Sequence, residues 1–524
     1  MQRIPRQVGD ALEVALADNP GHTAVIGRDQ RLTYGELDSA VDQAAGALFE
    51  LGVRTTEAVG VSLPNCAEIV VLFYAIMRLG AVFVGVNRGL APPEKEYILR
   101  DAKAGMLVTT EDVAEGLNGS TGVTIVTLDQ QQLSGWRRGV SPGPRLYPRT
   151  NGGDEQIAGL AYTSGTTGRP KGVIHSHRNL LLPGAALVAD RGYGPDLRRG
   201  DCAALTILNL QVTSTLLAVQ AGGTQIVMDR VDPVGIATWI REEQINSWFG
   251  VPTMLHGLAA SEEVAADDLA SLTDVWTGGS DIPPAVRQAF QERFGLRIHA
   301  TYGMTEVPTV VTIEPRHQPA VPGSSGRSLP TLVTEIRDDS GNVLAVGQPG
   351  EITVRTRSDG PWRGLYRPML GYLGQPEATA DAVRDGVLYT GDIGELDEHG
   401  NLFVRDRRKA LILRGGANVY PAEVERVLLE IAGVVGAAVV GVPDGRLGQR
   451  VAAAVELAPD VEVTTVVLET HCRLNLAKYK VPEFWRIETL PRNAMGKVVR
   501  PMIESLFTQR DGPSVQKGPG SAPQ

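Results

Sequence analysis

Up to about Ala300, helical patterns alternate with short β-branched runs. The helices are predicted at Leu37 to Leu51 and Ala67 to Leu79; the runs fall at Ala58 to Ser62, Ala81 to Val86, Met106 to Thr109, Val123 to Thr127, Thr224 to Met228, Ile245 to Phe249 and Ile298 to Ala300. Such alternation predicts α/β layers with parallel strands. From about Gly323 the pattern becomes strand-rich, with runs at Val333 to Arg337, Gly350 to Arg357, Gly394 to Asp397 and Leu402 to Val404. Turn signals at 339–342 and 397–401 separate them, which predicts a smaller β subdomain. A new α/β unit starts near Arg407: a helix over Pro421 to Ile431, strands at Ala437 to Val442 and Val451 to Leu457, and a helix around Val463 to Leu474. The fold class is therefore α/β in several domains, with a large N-terminal domain of layered subdomains and a small α+β C-terminal one. Residues 509–524 are rich in Gly, Pro, Ser and Gln without apolar period and are expected to be disordered.

Composition narrows the possibilities. A chain of 524 residues exceeds one core, and 43% hydrophobic content is ample for several. The net charge of −10, with no basic block, argues against nucleic acid or anionic membrane as the main partner. Cys66, Cys202 and Cys472 are too widely spaced for a disulfide framework or a CxxC metal site, so a reducing cytoplasm is the expected location. Met1 to Asp18 mixes charges with apolar residues at helical spacing and reads as a helix, not a signal peptide. The longest greasy stretch, Ile69 to Val86, is interrupted by Arg78 and Gly80 and parses as a buried helix followed by a strand rather than a membrane span.

Candidate chemistry concentrates first in residues 162–172, Tyr-Thr-Ser-Gly-Thr-Thr-Gly-Arg-Pro-Lys-Gly, which follow the apolar run Ile157 to Ala161. Gly165 and Gly168 permit positive φ and close backbone approach, Thr163, Ser164, Thr166 and Thr167 add neutral donors, and Lys171 adds a point charge. That is the chemistry of a polyphosphate cradle, although the spacing fails the Walker A pattern. A Gly/Thr surface turn would look the same in isolation. Lysine is scarce here, 8 among 50 basic residues, so its presence at Lys171, Lys409 and Lys497 invites a reason that arginine would not serve.

Five more segments follow in order: Thr277-Gly278-Gly279-Ser280; Tyr302-Gly303-Met304-Thr305-Glu306; Tyr389-Thr390-Gly391-Asp392; Asp406-Arg407-Arg408-Lys409 with Arg414-Gly415-Gly416-Ala417-Asn418-Val419-Tyr420-Pro421; and Pro491-Arg492-Asn493-Ala494-Met495-Gly496-Lys497. In this order and at these separations the chain, from about Val8 to Leu506, closely resembles the adenylate-forming superfamily of acyl-CoA synthetases, adenylation domains and luciferases. Within it the chain is most similar to bacterial fatty-acid or other acid:CoA ligases.

The resemblance implies two steps at one site. A carboxylate attacks the α-phosphate of MgATP to give an acyl-adenylate and pyrophosphate, and a thiol then takes the acyl group. By motif, the loop with Thr163, Ser164, Gly165, Thr166, Thr167, Gly168 and Lys171 would close over the β- and γ-phosphates. Gly278, Gly279 and Ser280, with Tyr302, Gly303 and Met304, would bind the nucleotide, Tyr302 offering a flat face to adenine. Thr305 would donate to the α-phosphate and Glu306 would hold Mg²⁺. Asp392 would accept from the ribose hydroxyls, Arg407 would add a donor near them, and Lys497 would bridge the α-phosphate and the substrate carboxylate. The resemblance also implies a mobile C-terminal domain, from 407 to 508, rotating about a hinge at Lys409, with Gly415 and Gly416 lining the path of the thiol of coenzyme A. The N-terminal domain would then run from 1 to 406.

The segment Leu205 to Leu217, which the resemblance places at the floor of the acyl pocket, carries neither the histidine common among acyl-CoA members nor an aspartate to pair an α-ammonium group. An amino-acid substrate is therefore disfavoured. Asn209, Gln211, Thr213 and Ser214 suit either a polar pocket wall or the solvent side of a helix. His175 and His177, at i and i+2, read as structural rather than as metal ligands. Two rival functions remain: a fatty acyl-AMP ligase that loads a separate carrier protein, and a catalytically silent nucleotide- or acyl-binding protein.

Overall fold

The computed structural model describes residues 4–28, 30–117, 122–129, 133–137, 147, 152–163, 170–278, 282, 284–407, 410, 412–414, 417–444, 447–493, 497–508 and 516–517. The chain packs as two compact units, Met1–Gly279 with Phe290–Thr334 and Thr353–Tyr389, and Ser280–Ala289 with Glu335–Ile352 and Thr390–Gln524.

Two large sheets form the first unit. In the nine-stranded one, Thr23–Ile26, Thr224–Val227, Arg198–Asp201, Ser247–Phe249, Asp274–Gly278 and Ile298–Met304 run parallel in that spatial order. Antiparallel strands close both edges, Arg31–Thr33 at one and Thr309–Ile313 then Arg327–Ser328 at the other. The seven-stranded sheet runs Thr124–Leu128, Met106–Thr110, Ala58–Ser62, Val82–Gly85 and Ile157–Thr163, all parallel, followed by antiparallel Lys171–Ser176 and Gly371–Tyr372.

Local chemistry sets the helices between these strands. Tyr34–Glu50 begins at a capping box in which Thr33 and Glu36 satisfy each other's backbone N–H. Ala67–Arg78 is buried along its whole length, which is why it is apolar on every side, and its terminal Arg78 pairs with Asp38 and Asp42. The stretch Ile69 to Val86 is thus a buried helix and a strand, as its interruptions predict. Among the described residues no helix is long and apolar enough to cross a membrane.

A five-stranded sheet comprises Leu332–Arg337, Gly350–Thr356, Val383–Arg384, Val387–Leu396 and Leu402–Arg407. In the second unit a six-stranded sheet holds Ala417–Val419, Ile412–Arg414, Gly448–Leu457, Val434–Asp444, Phe484–Ile487 and Gln516–Lys517. Helices Pro421–Leu429 and Thr465–Asn475 supply Val424, Val427, Leu428, Leu468 and Cys472 to its core. The pairing of Gln516–Lys517 with Phe484 and Trp485 was not predicted by composition; residues 509–515 and 518–524 lie outside the described residues.

One buried ionic network ties the first unit together. Asp274, at the start of its strand, accepts a hydrogen bond from the Tyr193 hydroxyl at 2.7 Å and pairs with Arg191 at 3.4 Å, both charged side chains being fully buried. Arg191 also donates to the Glu314 carbonyl at 2.9 Å. Breaking a buried pair leaves the surviving charge uncompensated, so Asp274→Ala is expected to cost about 3–5 kcal/mol in urea unfolding.

Candidate active site

The segment expected to cradle polyphosphate is flanked by the two strands of an antiparallel ribbon. Ile157–Thr163 leads into it and Lys171–Ser176 leads out, with Thr163 opposite Lys171 and Tyr162 opposite Gly172. Lys171 therefore opens the return strand rather than sitting within the loop. Ser164, Gly165, Thr166, Thr167 and Gly168 lie outside the described residues, as do Gly279, Ser280, Lys409, Gly415 and Gly416.

The return strand is hydrogen-bonded on its other edge as well, where Tyr372 faces Val173 and Gly371 faces Ile174. Directly opposed residues share a face, as do residues two apart, so Lys171, Val173, His175 and Tyr372 project to the same side. The contacts agree. The Lys171 ammonium lies 4.7 Å from the centre of the Tyr372 ring. The Tyr372 hydroxyl donates to Glu306 Oε1 at 2.8 Å, and His175 Nε2 meets the Thr305 carbonyl oxygen at 2.8 Å.

Thr305 and Glu306 occupy the turn between strands Ile298–Met304 and Thr309–Ile313. The pairing shifts register between Tyr302 and Gly303, and a Cβ on Gly303 would lie 1.7 Å from the Thr309 carbonyl oxygen, so only glycine fits. Thr309 itself has φ of 121°, which is strained for a β-branched residue. Tyr302 is buried to 9% exposure, and Gly278 ends the neighbouring parallel strand opposite Thr301. Thr163, Lys171, Gly278, Tyr302, Gly303, Met304, Thr305 and Glu306 are thus carried by two adjacent antiparallel turns and the strands beside them.

His175 is fully buried, and burial pushes its imidazole down to about 4 although the bond to Thr305 opposes the shift. A neutral ring facing a carbonyl must carry its proton on Nε2, so His175 donates there. His177 is likewise held down to about 4 by burial, and its Nδ1 accepts from the Val8 N–H at 3.2 Å. Both histidines are structural, as their spacing suggested, and His175 braces Thr305.

In the second unit Asp392 and Arg407 are direct cross-strand partners. Asp392 is 8% exposed, and the turn before it is fixed three times: Glu351 Oε1 accepts from Gly391 N–H at 3.0 Å, and the Thr390 hydroxyl donates to the Ile352 carbonyl at 2.7 Å and accepts from Asp392 N–H at 3.1 Å. Lys497 is exposed, at the foot of a turn where Asn493 N–H donates to its carbonyl at 2.8 Å and its own N–H donates to Asn493 Oδ1 at 3.0 Å.

The segment Leu205 to Leu217 folds as a helical turn followed by a wide π-helical stretch, Gln211–Leu216. Gln211, Thr213 and Ser214 are all buried, which excludes the solvent-facing alternative. Gln211 donates to the Leu205 carbonyl at 2.7 Å and accepts from Thr215 at 2.7 Å, and Thr213 donates to the Asn209 carbonyl at 3.1 Å. Asn209 Oδ1 and Thr206 Oγ1 are buried and have no partner among the described residues.

A hard divalent cation fits this arrangement. Among the described residues the side-chain hydrogen bond at Glu306 is the one from Tyr372 to Oε1, so Oε2 remains for an ion that takes one or two protein carboxylates alongside nucleotide phosphates.

Residues 12–366 match the model of the AMP-binding enzyme family and residues 423–497 that of the AMP-binding enzyme C-terminal domain. This chain is an AMP-binding enzyme. It is 34% identical to a feruloyl-CoA synthase of Amycolatopsis sp. over 93% of this chain and 96% of that one. A long-chain-fatty-acid–CoA ligase of Mycobacterium tuberculosis is 30% identical, over 92% and 94%. The solved ATP-bound MatB of Rhodopseudomonas palustris superposes with a TM-score of 0.86 at 27% identity, over 95% and 99%. The motifs at 162–172, 277–280 and 302–306 lie within the first of the two family matches and that at 491–497 within the second, while 389–392 and 406–421 fall between them.

Sequence reasoning missed Tyr372 and the role of His175. Its one available signal was the alternation that puts Lys171 and His175 on one side of a strand.

Because the buried histidines must stay neutral in the folded chain and protonate near 6.5 once unfolded, stability is fully present above about pH 6.5 and falls as pH drops toward 4. His175→Gln keeps a donor for Thr305 and should flatten that acid limb by about 3 kcal/mol at pH 4, read from urea unfolding at several pH values.

Proposed function

We propose that this AMP-binding enzyme activates a fatty, aryl or alicyclic carboxylic acid with ATP and passes the acyl group to coenzyme A. The observation that carries the reading is the convergence of Lys171 and Glu306, from two separate turns, on one tyrosine, with Thr305 beside Glu306 and braced by His175. A cation for phosphate, a hydroxyl donor and a carboxylate for a metal are what attack on an α-phosphate requires, since catalysis there is mostly positioning and charge neutralisation.

In the first step the acid's carboxylate oxygen bonds to the α-phosphorus and pyrophosphate leaves. Lys171 and the loop before it hold the β- and γ-phosphates, and Thr305 donates to the α-phosphate. Mg²⁺ bound with the nucleotide supplies charge neutralisation and would be held by Glu306. Asp392 and Arg407 hold the ribose, and Lys497 steadies the negative charge developing between the two reactants. In the second step the thiol of coenzyme A attacks the acyl carbon and AMP leaves. We assign the boundary between the large and small domains to residues 406–407, with Lys409 as the hinge and Gly415 and Gly416 on the thiol's path. Loading a carrier protein instead of coenzyme A is the alternative within the same chemistry. The intact Glu306, Asp392, Arg407 and Lys497 weigh against a silent binding protein.

Lys497→Ala is expected to lower pyrophosphate release by roughly 10²–10³ while largely sparing thioester formation from supplied acyl-adenylate. Equal losses in both half-reactions would remove Lys497 from its assigned role.

The substrate reading draws on the pocket segment. Its polar side chains are buried and mostly satisfied internally, and no carboxylate is among them to receive an ammonium group. The feruloyl and long-chain-fatty-acid relatives support the same classes. The partnerless Asn209 Oδ1 favours an acid bearing a hydrogen-bond donor. A screen by pyrophosphate release should favour ring-containing or fatty acids over every free amino acid. For a donor-bearing acid Asn209→Leu should raise KM roughly tenfold, the value of one buried hydrogen bond, while an unsubstituted analogue is unaffected. Selective activation of an amino acid would overturn the substrate reading.

A further inference from the structure

We propose that Tyr372 is a positioning residue that couples the metal-binding carboxylate to the phosphate-binding lysine: its hydroxyl fixes one oxygen of Glu306 while its ring face seats the Lys171 ammonium. One rigid side chain thereby sets the spacing between the two charged groups. This rests on Glu306 serving the metal and Lys171 the polyphosphate, as assigned above.

Two observations carry it. First, the two contacts use different parts of the same residue, the phenolic O–H at 2.8 Å from Glu306 Oε1 and the ring at 4.7 Å from Lys171 Nζ, so they do not compete. Second, Tyr372 has little freedom. Its backbone pairs with Val173, its N–H donates to the Thr379 hydroxyl at 2.9 Å, and Thr379 in turn donates to the Gln375 carbonyl at 2.8 Å. Gly371 before it has φ of +142°, a conformation side chains rarely adopt, which aims the next residue.

The physical consequence is a division of labour. A phenol donating to Oε1 stabilises the carboxylate and fixes its plane, leaving Oε2 to face a hard cation. The ring holds the ammonium by a cation–π contact that leaves its N–H donors to the open side. Without Tyr372, carboxylate and ammonium would be free to pair with each other, and the metal and phosphate would have to separate them first.

The test uses the full chain with Mn²⁺ as the spin probe for the metal and α,β-methylene-ATP as a nucleotide that cannot release pyrophosphate. Mn²⁺ affinity is read by paramagnetic resonance at saturating analogue, and analogue affinity without metal by calorimetry. Tyr372→Phe keeps the ring and should weaken Mn²⁺ roughly tenfold, as expected for loss of one hydrogen bond to a charged group, with metal-free analogue affinity within about twofold. Tyr372→Leu loses the ring too and should in addition weaken the metal-free analogue roughly threefold. Glu306→Gln serves as the control that Mn²⁺ is bound at this carboxylate, and thermal unfolding checks that each variant is folded. If Tyr372→Phe binds Mn²⁺ as the parent does while Glu306→Gln does not, the proposal is overturned and the ligase reading stands. A parent chain that binds no Mn²⁺ with the analogue overturns both.

Discussion

The contacts among Lys171, His175, Tyr372, Thr305 and Glu306 all depend on one strand, Lys171–Ser176, being hydrogen-bonded along both edges. Pairing with Ile157–Thr163 returns the loop, and pairing with Gly371–Tyr372 brings a distant segment alongside. The pleat then decides which side chains meet: alternate residues on this strand and the residue opposite them face the turn that carries Thr305 and Glu306. A slip of one residue would send Lys171, His175 and Tyr372 to the other side together. The register is held at the far end too, because Ser176 caps helix His177–Arg191 through Asn179, and that asparagine also donates to the Arg367 carbonyl at 2.8 Å. The segment leading to Tyr372 is thus tied to the strand's two ends.

Long, strongly patterned elements were legible from the residues alone. Ala58–Ser62 has the predicted bounds, and Ala67–Arg78 and Thr224–Val227 differ from expectation by one residue. Their apolar runs are long enough for burial on both faces to show in composition. Strand Ile298–Met304 extends past the predicted Ala300 because its second half is polar and glycine-containing, the pattern of a turn. The pairing with Thr309–Ile313 overrides that local signal. Gly371–Tyr372 is only two residues long and follows a segment of Arg, Pro and Gly, so no periodicity could reveal it. Its contact with Glu306 spans 66 residues, and only the tertiary fold makes it visible.

The segment Leu205 to Leu217 shows the reverse difficulty. Its polar residues were plain in the sequence, but a helical period cannot say which side is covered. Gln211, Thr213 and Ser214 are buried, with Gln211 bridging the Leu205 carbonyl and Thr215 across the π-helical stretch and Ser214 accepting from Gln225. Widening the helix frees carbonyls that side-chain amides and hydroxyls then satisfy, so polar residues are a structural requirement there as much as a recognition surface. Asn209 and Thr206 stand apart because each keeps a buried oxygen without a partner among the described residues, and specificity is most economically sought where such a group remains.

Lysine is scarce in this chain, and an arginine would behave differently at position 171. An arginine there would present a planar, five-donor fork able to take a carboxylate such as that of Glu306 in a bidentate grip. That pairing would satisfy the carboxylate internally and occupy the cation with it. An ammonium is a compact charge that seats on the ring face and keeps its N–H donors for the open side, where the proposed function places the phosphate oxygens. The neighbouring tyrosine supplies the hydrogen bond that the carboxylate would otherwise seek from a cation. If Lys171 and Glu306 serve the polyphosphate and the metal as proposed, lysine at 171 and tyrosine at 372 form one solution to one electrostatic problem: holding opposite charges close together without letting them neutralise each other first.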